Sequence, residues 1–277
     1  MVVIKKQGSK LEVPIKVKET IEVSLPTQLS SPANHIGDYS ILLYGEKKIG
    51  KTSLASKFDK ALFLMFEPGG KALSVYQKPV ASWLEFKKFI SLIQKDKQFR
   101  TIVIDTVDIA YQMCVEYILE KLVIKHLSDE EWGKGWQACK DEFNKEIVNL
   151  LKTEKGVIFV SHAAEKEIKT RTGDQYHRIS PTMSNQARDI LEGIVDIWMY
   201  YGYEGKARFL WVEGNDHIGA GHRLETRFKY TDGSAVAEIP MGKNPTEAYA
   251  NFIKAFNNSI QKGEDKKVVK KVVVVKK

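Results

Sequence analysis

Residues 40–52 read Ser40-Ile41-Leu42-Leu43-Tyr44-Gly45-Glu46-Lys47-Lys48-Ile49-Gly50-Lys51-Thr52, an apolar run that enters a G-x-x-x-x-G-K-T segment. Ile41–Tyr44 has the character of a short buried strand and Thr52–Phe58 that of a helix, so Gly45–Thr52 is a strand–loop–helix junction. Gly45 and Gly50 let the backbone curl with its N–H groups pointing inward, at the positive end of the following helix. Gly45, Glu46, Lys47, Lys48, Ile49, Gly50, Lys51, Thr52 and Ser53 are therefore candidate contacts of a phosphate chain. Lys51 would reach the β- and γ-phosphates, and the Thr52 hydroxyl would ligate Mg²⁺.

Outward from this junction, apolar runs alternate with helical patterns. Ala61–Phe66, Thr101–Ile104 and Val157–Val160 read as further buried strands. Trp83, Phe86, Ile90 and Ile93 recur at helical spacing, as do Tyr111, Val115, Ile118 and Leu122, then Phe143, Ile147 and Leu150–Leu151. Strands that are apolar throughout and separated by helices predict an α/β fold, a mostly parallel sheet with helices on both faces. Beyond residue 190 the pattern changes: Ile194–Tyr201 and Ala207–Val212 around Gly202–Lys206 predict a C-terminal antiparallel hairpin, and Pro245–Gln261 a closing helix.

The ends of the predicted strands supply the other site candidates, because the C-termini of parallel strands face one crevice. Asp105 ends Thr101-Ile-Val-Ile-Asp105 and is the second Mg²⁺ candidate beside Thr52; Asp108, in the next turn, reads as a cap or charge partner. Glu67 ends Leu62-Phe-Leu-Met-Phe-Glu67 before a Pro-Gly-Gly turn and is the candidate that orients an attacking water. Ser161 and His162 end the fourth strand and would lie near the γ-phosphate if that strand runs between those of the phosphate loop and Asp105.

Composition excludes several alternatives. The 277 residues are 43% hydrophobic and 28% charged, a globular balance. Apolar runs of about half a dozen residues fall far short of the roughly 20 that span a membrane. No signal-peptide core follows Met1, which predicts a cytoplasmic protein (the host's cytoplasm if phage-encoded). Cys114 and Cys139 stand without a second pair and read as buried free thiols. The net charge of +8 is concentrated at the ends: residues 1–20 carry five lysines against two glutamates, and residues 263–277 six lysines against two acids. The body between is nearly neutral, so charge alone does not argue for nucleic acid. Three parts are expected: a lead-in segment 1–37, with a short strand near Ile15–Val23, a main domain 38–262, and a basic Lys-Val tail 263–277 predicted to be mobile.

Taken in order, GEKKIGKT, FLMFEPGG, TIVIDTVD and VIFVSHA resemble the RecA-like P-loop ATPases over about residues 38–230. Trp132-Gly-Lys-Gly-Trp136 and Ser161-His162-Ala163 look most similar to the small phage members of that class implicated in single-strand annealing and homologous recombination. The resemblance implies an ATP- and Mg²⁺-dependent ATPase, stimulated by DNA, that works as a homo-oligomer with nucleotide between neighbours. Partners would be single-stranded DNA, a single-strand-binding protein or other recombination factors. It implies a DNA-contacting loop after the fourth strand, here Glu165–Pro181, with Lys166, Lys169, Arg171, Tyr176 and Arg178 as the contacts. It also implies a Lys-x-Arg pair reaching a neighbour's nucleotide. The matching stretch here is Gly221-His222-Arg223, with Arg223 as the finger although the Lys position is glycine, and Arg227 as substitute. Other readings of the same motifs are a P-loop nucleotide or small-molecule kinase, a replication or packaging motor, and an annealing module without turnover.

Overall fold

The computed structural model describes residues 24–263 apart from positions 170, 172 and 174. The expected strand near Ile15–Val23 and all but the first residue of the basic tail lie outside the described residues. The chain divides into two units, Met1–Pro32 and Ala33–Lys277. The described part of the first, residues 24–32, is exposed and forms no helix or strand.

In the second unit β1 (Ser40–Gly45) is buried at every position and leads through the Gly45–Gly50 loop into α1 (Lys51–Ala55). There follow β2 (Ala61–Met65), β3 (Tyr76–Pro79), α2 (Trp83–Ile93), β4 (Thr101–Asp105), α3 (Val107–Leu122) and α4 (Lys134–Leu151). Next come β5 (Gly156–Lys169), β6 (Gln175–Pro181), α5 (Asn185–Ile194), β7 (Ile197–Glu204), β8 (Ala207–Trp211), β9 (Gly221–His222), β10 (Glu238–Pro240) and α6 (Pro245–Phe256). The strands order as β10-β8-β7-β1-β5-β4-β2-β3, with β6 paired to β5 and β9 to β7. Pairings from β7 through β1, β5, β4 and β2 to β3 are parallel, while β8, β10, β6 and β9 add antiparallel. This is the expected mostly parallel sheet with antiparallel C-terminal strands.

Period-two alternation divides each central strand between two cores. Ile41, Leu43, Phe63, Val103, Ile158 and Val160 pack beneath α1 and α6, against Leu54, Phe252 and Phe256. Leu42, Leu64, Ile102, Ile104 and Phe159 face α2–α5, against Phe86, Cys114, Phe143 and Leu191. Both thiols are free and buried, as expected. Among the described residues no helix is long and apolar enough to cross a membrane.

Several boundaries differ from the expectation. The first helix ends at Ala55, because the chain turns through Ser56 and Lys57 to place Phe58 against Tyr249 and Phe252, at 5.3 and 6.2 Å. Ile194 belongs to α5, an unforeseen helix capped by Ser184 and buried through Ala187, Ile190 and Leu191. The expected hairpin therefore starts at Ile197, and its first strand also pairs in parallel with β1. The C-terminal helix stops at Phe256. The expected loop Glu165–Pro181 is a β-hairpin: β5 pairs with the sheet as far as His162, and its later residues pair only with β6.

Candidate nucleotide-binding site

β5 lies between β1 and β4, so the C-terminal ends of the phosphate-loop strand, the Ser161–His162 strand and the Asp105 strand are consecutive at one sheet edge. The loop between β1 and α1 depends on two glycines. A Cβ on Gly45 would stand 2.0 Å from the Tyr201 carbonyl oxygen, so only glycine lets β1 and β7 pair where the chain begins to curl. Gly50 precedes α1 at φ 115°, a left-handed conformation that disfavours a side chain.

Lys51 is buried, and its Nζ donates to the carbonyls of Gly45 and Glu46, both at 2.8 Å. Burial pushes its pKa down to about 8, against the opposing pull of Asp105, Asp108, Glu67 and Glu46. Thr52 Oγ1 donates to Asp105 Oδ2 at 2.8 Å. Asp105 is itself buried, which pushes its carboxyl pKa up, while the Thr52 bond pulls it down and Glu67 pushes it up further. His162 stands between two candidates, its Nδ1 3.5 Å from Lys51 Nζ and its Nε2 3.5 Å from Glu67 Oε1. Ser161 is fully buried and donates to Asp108 Oδ1 at 3.1 Å. Lys51, Thr52, Glu67, Asp105, Ser161 and His162 are thus brought to one edge.

The rest of the loop has mixed surroundings. Glu46 Oε1 accepts from the Tyr203 N–H at 3.4 Å and the Tyr200 hydroxyl at 3.5 Å. Lys47 lines a cleft of about 570 Å³ with Asp108, Gln112, Glu116, His162 and Thr182. Lys48 is exposed at φ 63°, Ile49 is buried in the core and offers a ligand only its backbone, and Ser53 lies in the first turn of α1. The donor set suits a magnesium-bound triphosphate: a loop that only glycine permits, a buried ammonium, and a hydroxyl–carboxylate pair of hard oxygens.

Arg223 lies elsewhere. β9 pairs with the start of β7, at the sheet edge opposite Gly45, where the Arg223 guanidinium donates to the Gly193 carbonyl and its N–H to Asp196 O at 3.0 Å. Arg227 donates to Asn34 Oδ1 at 3.0 Å and lies over the Phe256 ring. Within one chain neither meets the phosphate loop.

The hairpin sorts its side chains by register. Lys166 opposes Arg178 and Ile168 opposes Tyr176 on one face; Glu165, Glu167 and Lys169 oppose Ile179, His177 and Gln175 on the other. The first face is half-buried: Lys166 lies near Arg188 and Glu192 of α5, where burial and then Arg188 lower its pKa and Glu192 opposes them, and the Tyr176 ring stands 6.2 Å from that of His217; the second face is more exposed. Arg171 is exposed near the tip. Lys166, Tyr176 and Arg178 therefore share a face, and Lys169 does not. Sequence reasoning missed Thr182, whose hydroxyl also donates to Asp108 Oδ1, and assigned Asp108 no place in the site. The sole available signal was that Asp108 follows Asp105 by one helical turn.

Fold and site together define a P-loop ATPase of α/β architecture. The family described as "AAA domain" matches residues 38–224, and the chain belongs to it. The SPbeta prophage-derived uncharacterized protein YorG of Bacillus subtilis (strain 168) is 30% identical over 166 residues, covering 57% of this chain and 51% of that protein. The chain thus spans about half the length of this curated relative. Among solved structures, the KaiC-like protein PH0186 of Pyrococcus horikoshii OT3 aligns over 76% of this chain and 87% of its own, at 13% identity and a TM-score of 0.44.

Proposed function

We propose that the chain is a magnesium-dependent ATPase that binds single-stranded DNA and supports annealing or homologous recombination. The observation that carries the ATPase is the convergence of buried Lys51, the Thr52–Asp105 pair at 2.8 Å and the Glu67–His162 pair at one sheet edge. Backbone N–H groups of the loop between β1 and α1, together with the Lys51 ammonium, would hold the phosphates. Thr52 and Asp105 would hold a magnesium ion, whose charge would offset that of the phosphates. Glu67 orients the attacking water and accepts its proton, and His162 Nε2 keeps the carboxylate turned toward the site. Ser161 ties β5 to α3 through Asp108 where the strand leaves the sheet.

The DNA reading draws on the hairpin face of Lys166, Arg178 and Tyr176, with Arg188 beside it. Two cations on opposed strands suit phosphates, and an aromatic ring suits a base. Trp132, 92% exposed in the turn between α3 and α4, offers another ring. Arg223, remote from its own chain's loop, fits a finger entering a neighbour's site in a homo-oligomer. The prophage relative fits a phage context. The test is the ATPase rate with and without single-stranded DNA, double-stranded DNA and RNA; stimulation by single-stranded DNA is expected, and equal rates in all four would refute the DNA reading. The 570 Å³ cleft beside Lys47 and His162 favours one other reading, a kinase with its acceptor there, and a phosphorylated product in an acceptor screen would establish it.

A further inference from the structure

The root of the β5–β6 hairpin meets α3 at a single oxygen. Asp108 Oδ1 accepts from Ser161 Oγ at 3.1 Å and from the Thr182 hydroxyl. Ser161 sits on the sheet portion of β5 beside His162, which faces both Lys51 and Glu67 at 3.5 Å. Thr182 follows β6 directly, and its N–H donates to the His162 carbonyl at 3.0 Å. One carboxylate oxygen therefore faces a hydroxyl from the nucleotide-facing strand and a hydroxyl that follows β6, and each hydroxyl also reaches the His162 carbonyl, at 3.2 and 3.4 Å. Asp108 Oδ2 is buried with no hydrogen-bond partner among the described residues, so the carboxylate is held through Oδ1 alone. Hydrogen bonds are directional, so two donors on one oxygen fix where each hydroxyl can lie.

A second tie holds the hairpin independently. The buried Tyr44 hydroxyl, one residue before Gly45, is 2.6 Å from the Gly219 carbonyl and 3.2 Å from the Ile179 carbonyl. The Ile179 N–H donates to His217 O at 2.7 Å. Removing the Thr182 hydroxyl would thus leave the hairpin folded, with the Thr182 N–H still on the His162 carbonyl and Ser161 still on Asp108, and would cut only the side-chain link of β6 to α3.

We propose that Asp108 is a positioning residue, coupling the phosphate site to the hairpin through Ser161 on one side and Thr182 on the other. A shift of Lys51 and His162 toward bound phosphate moves the end of β5, and the shared acceptor carries that shift to β6. Coupling of this kind is reciprocal: whatever the hairpin binds changes nucleotide affinity by the same factor. The proposal rests on the nucleotide reading of the site and adds its route to the hairpin.

The experiment uses the full chain and four proteins: wild type, Thr182→Val, Asp108→Ala and Asp108→Asn. Calorimetry with magnesium and a non-hydrolysable ATP analogue measures binding, and amide hydrogen exchange over residues 175–181 is followed with and without that analogue. In wild type the analogue is expected to slow hairpin exchange about tenfold, within the usual range of coupling. Thr182→Val keeps the shape and removes the donor, so its hairpin response should fall within about twofold of none, with nucleotide affinity changed less than about threefold. Asp108→Ala should lose the response as well. Asp108→Asn retains an acceptor oxygen for both hydroxyls and should keep it. A Thr182→Val hairpin that responds as wild type overturns the proposal, and so does a wild-type hairpin that binding leaves unmoved. Absence of nucleotide binding to wild type overturns the site reading itself, and the calorimetry separates that failure from a failure of coupling.

Discussion

Replacing Lys51 with methionine should stabilise the protein while abolishing nucleotide binding. Lys51 is 6% exposed, and burial lowers its pKa from the ordinary 10.5 to about 8. At about 1.36 kcal/mol per pH unit, this is about 3 kcal/mol by which folding disfavours the ammonium. A base with a lowered folded pKa carries that cost in full below pH 8, where it is charged in both states, and loses it as pH rises from about 8 to 10.5, because there the unfolded chain binds more protons. Methionine fills the same channel without charge. It gives up the two bonds to Gly45 O and Glu46 O, worth about 1–2 kcal/mol together. The net gain at pH 7 is then about 1–2 kcal/mol, or about 2–8 °C in Tm for a domain of this size. Urea denaturation of both proteins from pH 7 to 10.5 checks the sign, with the difference between them cancelling the other titrating groups. Wild type should gain on the variant as pH rises through that window. A variant less stable at pH 7, with a pH profile parallel to wild type, would refute the view that the site holds a strained charge in reserve for phosphate.

Three further outcomes are expected. Glu67→Gln should bind ATP within about twofold of wild type and hydrolyse it at least about a hundredfold more slowly, because the amide no longer accepts a proton; single-turnover kinetics decide, and normal turnover would assign the water to another group. Gly45→Ala forces a Cβ to within 2.0 Å of the Tyr201 carbonyl, so β1 and β7 must part, at a cost of about 1–3 kcal/mol in chemical denaturation together with lost nucleotide binding; unchanged stability would contradict the register of that pair. Removing residues 263–277, with six lysines against two acids, should flatten the salt dependence of single-stranded DNA binding by at most about 3 in log–log slope, and an unchanged slope would leave the tail no part in binding.

The parts of this molecule that sequence made legible are those whose environment is uniform along the chain. β1, β2, β4 and the first half of β5 read as unbroken apolar runs because helices cover both faces. Asp105, Glu67 and Ser161–His162 then followed from being the first polar residues after those runs. β3, Tyr76-Gln-Lys-Pro79, left no such trace, since it is an edge strand exposed throughout. α5 was hidden because its buried Ala187, Ile190 and Leu191 adjoin the apolar stretch of β7, so the change of period fell inside one hydrophobic block. The hairpin's faces were illegible for another reason. Lys166, Lys169 and Arg178 are equivalent as charges, and only the register that sets Lys166 opposite Arg178 separates two of them from the third.

Asp108 and Thr182 mark the limit of that reasoning. They are 74 residues apart; Asp108 closes the TIVIDTVD stretch without a role of its own there, and Thr182 belongs to no motif. A lone threonine after a strand has no distinguishing chemistry until the fold brings a carboxylate to it. Arg223 is the converse case: its place in a motif drew attention to it, yet the sheet sets it at the edge away from its own phosphate loop. Motif spacing reports chemistry that the local backbone assembles, as in Gly45–Thr52. Contacts between distant elements, such as Thr182 on Asp108 or Arg223 on Gly193 and Asp196, follow from strand order, which no short window of sequence contains.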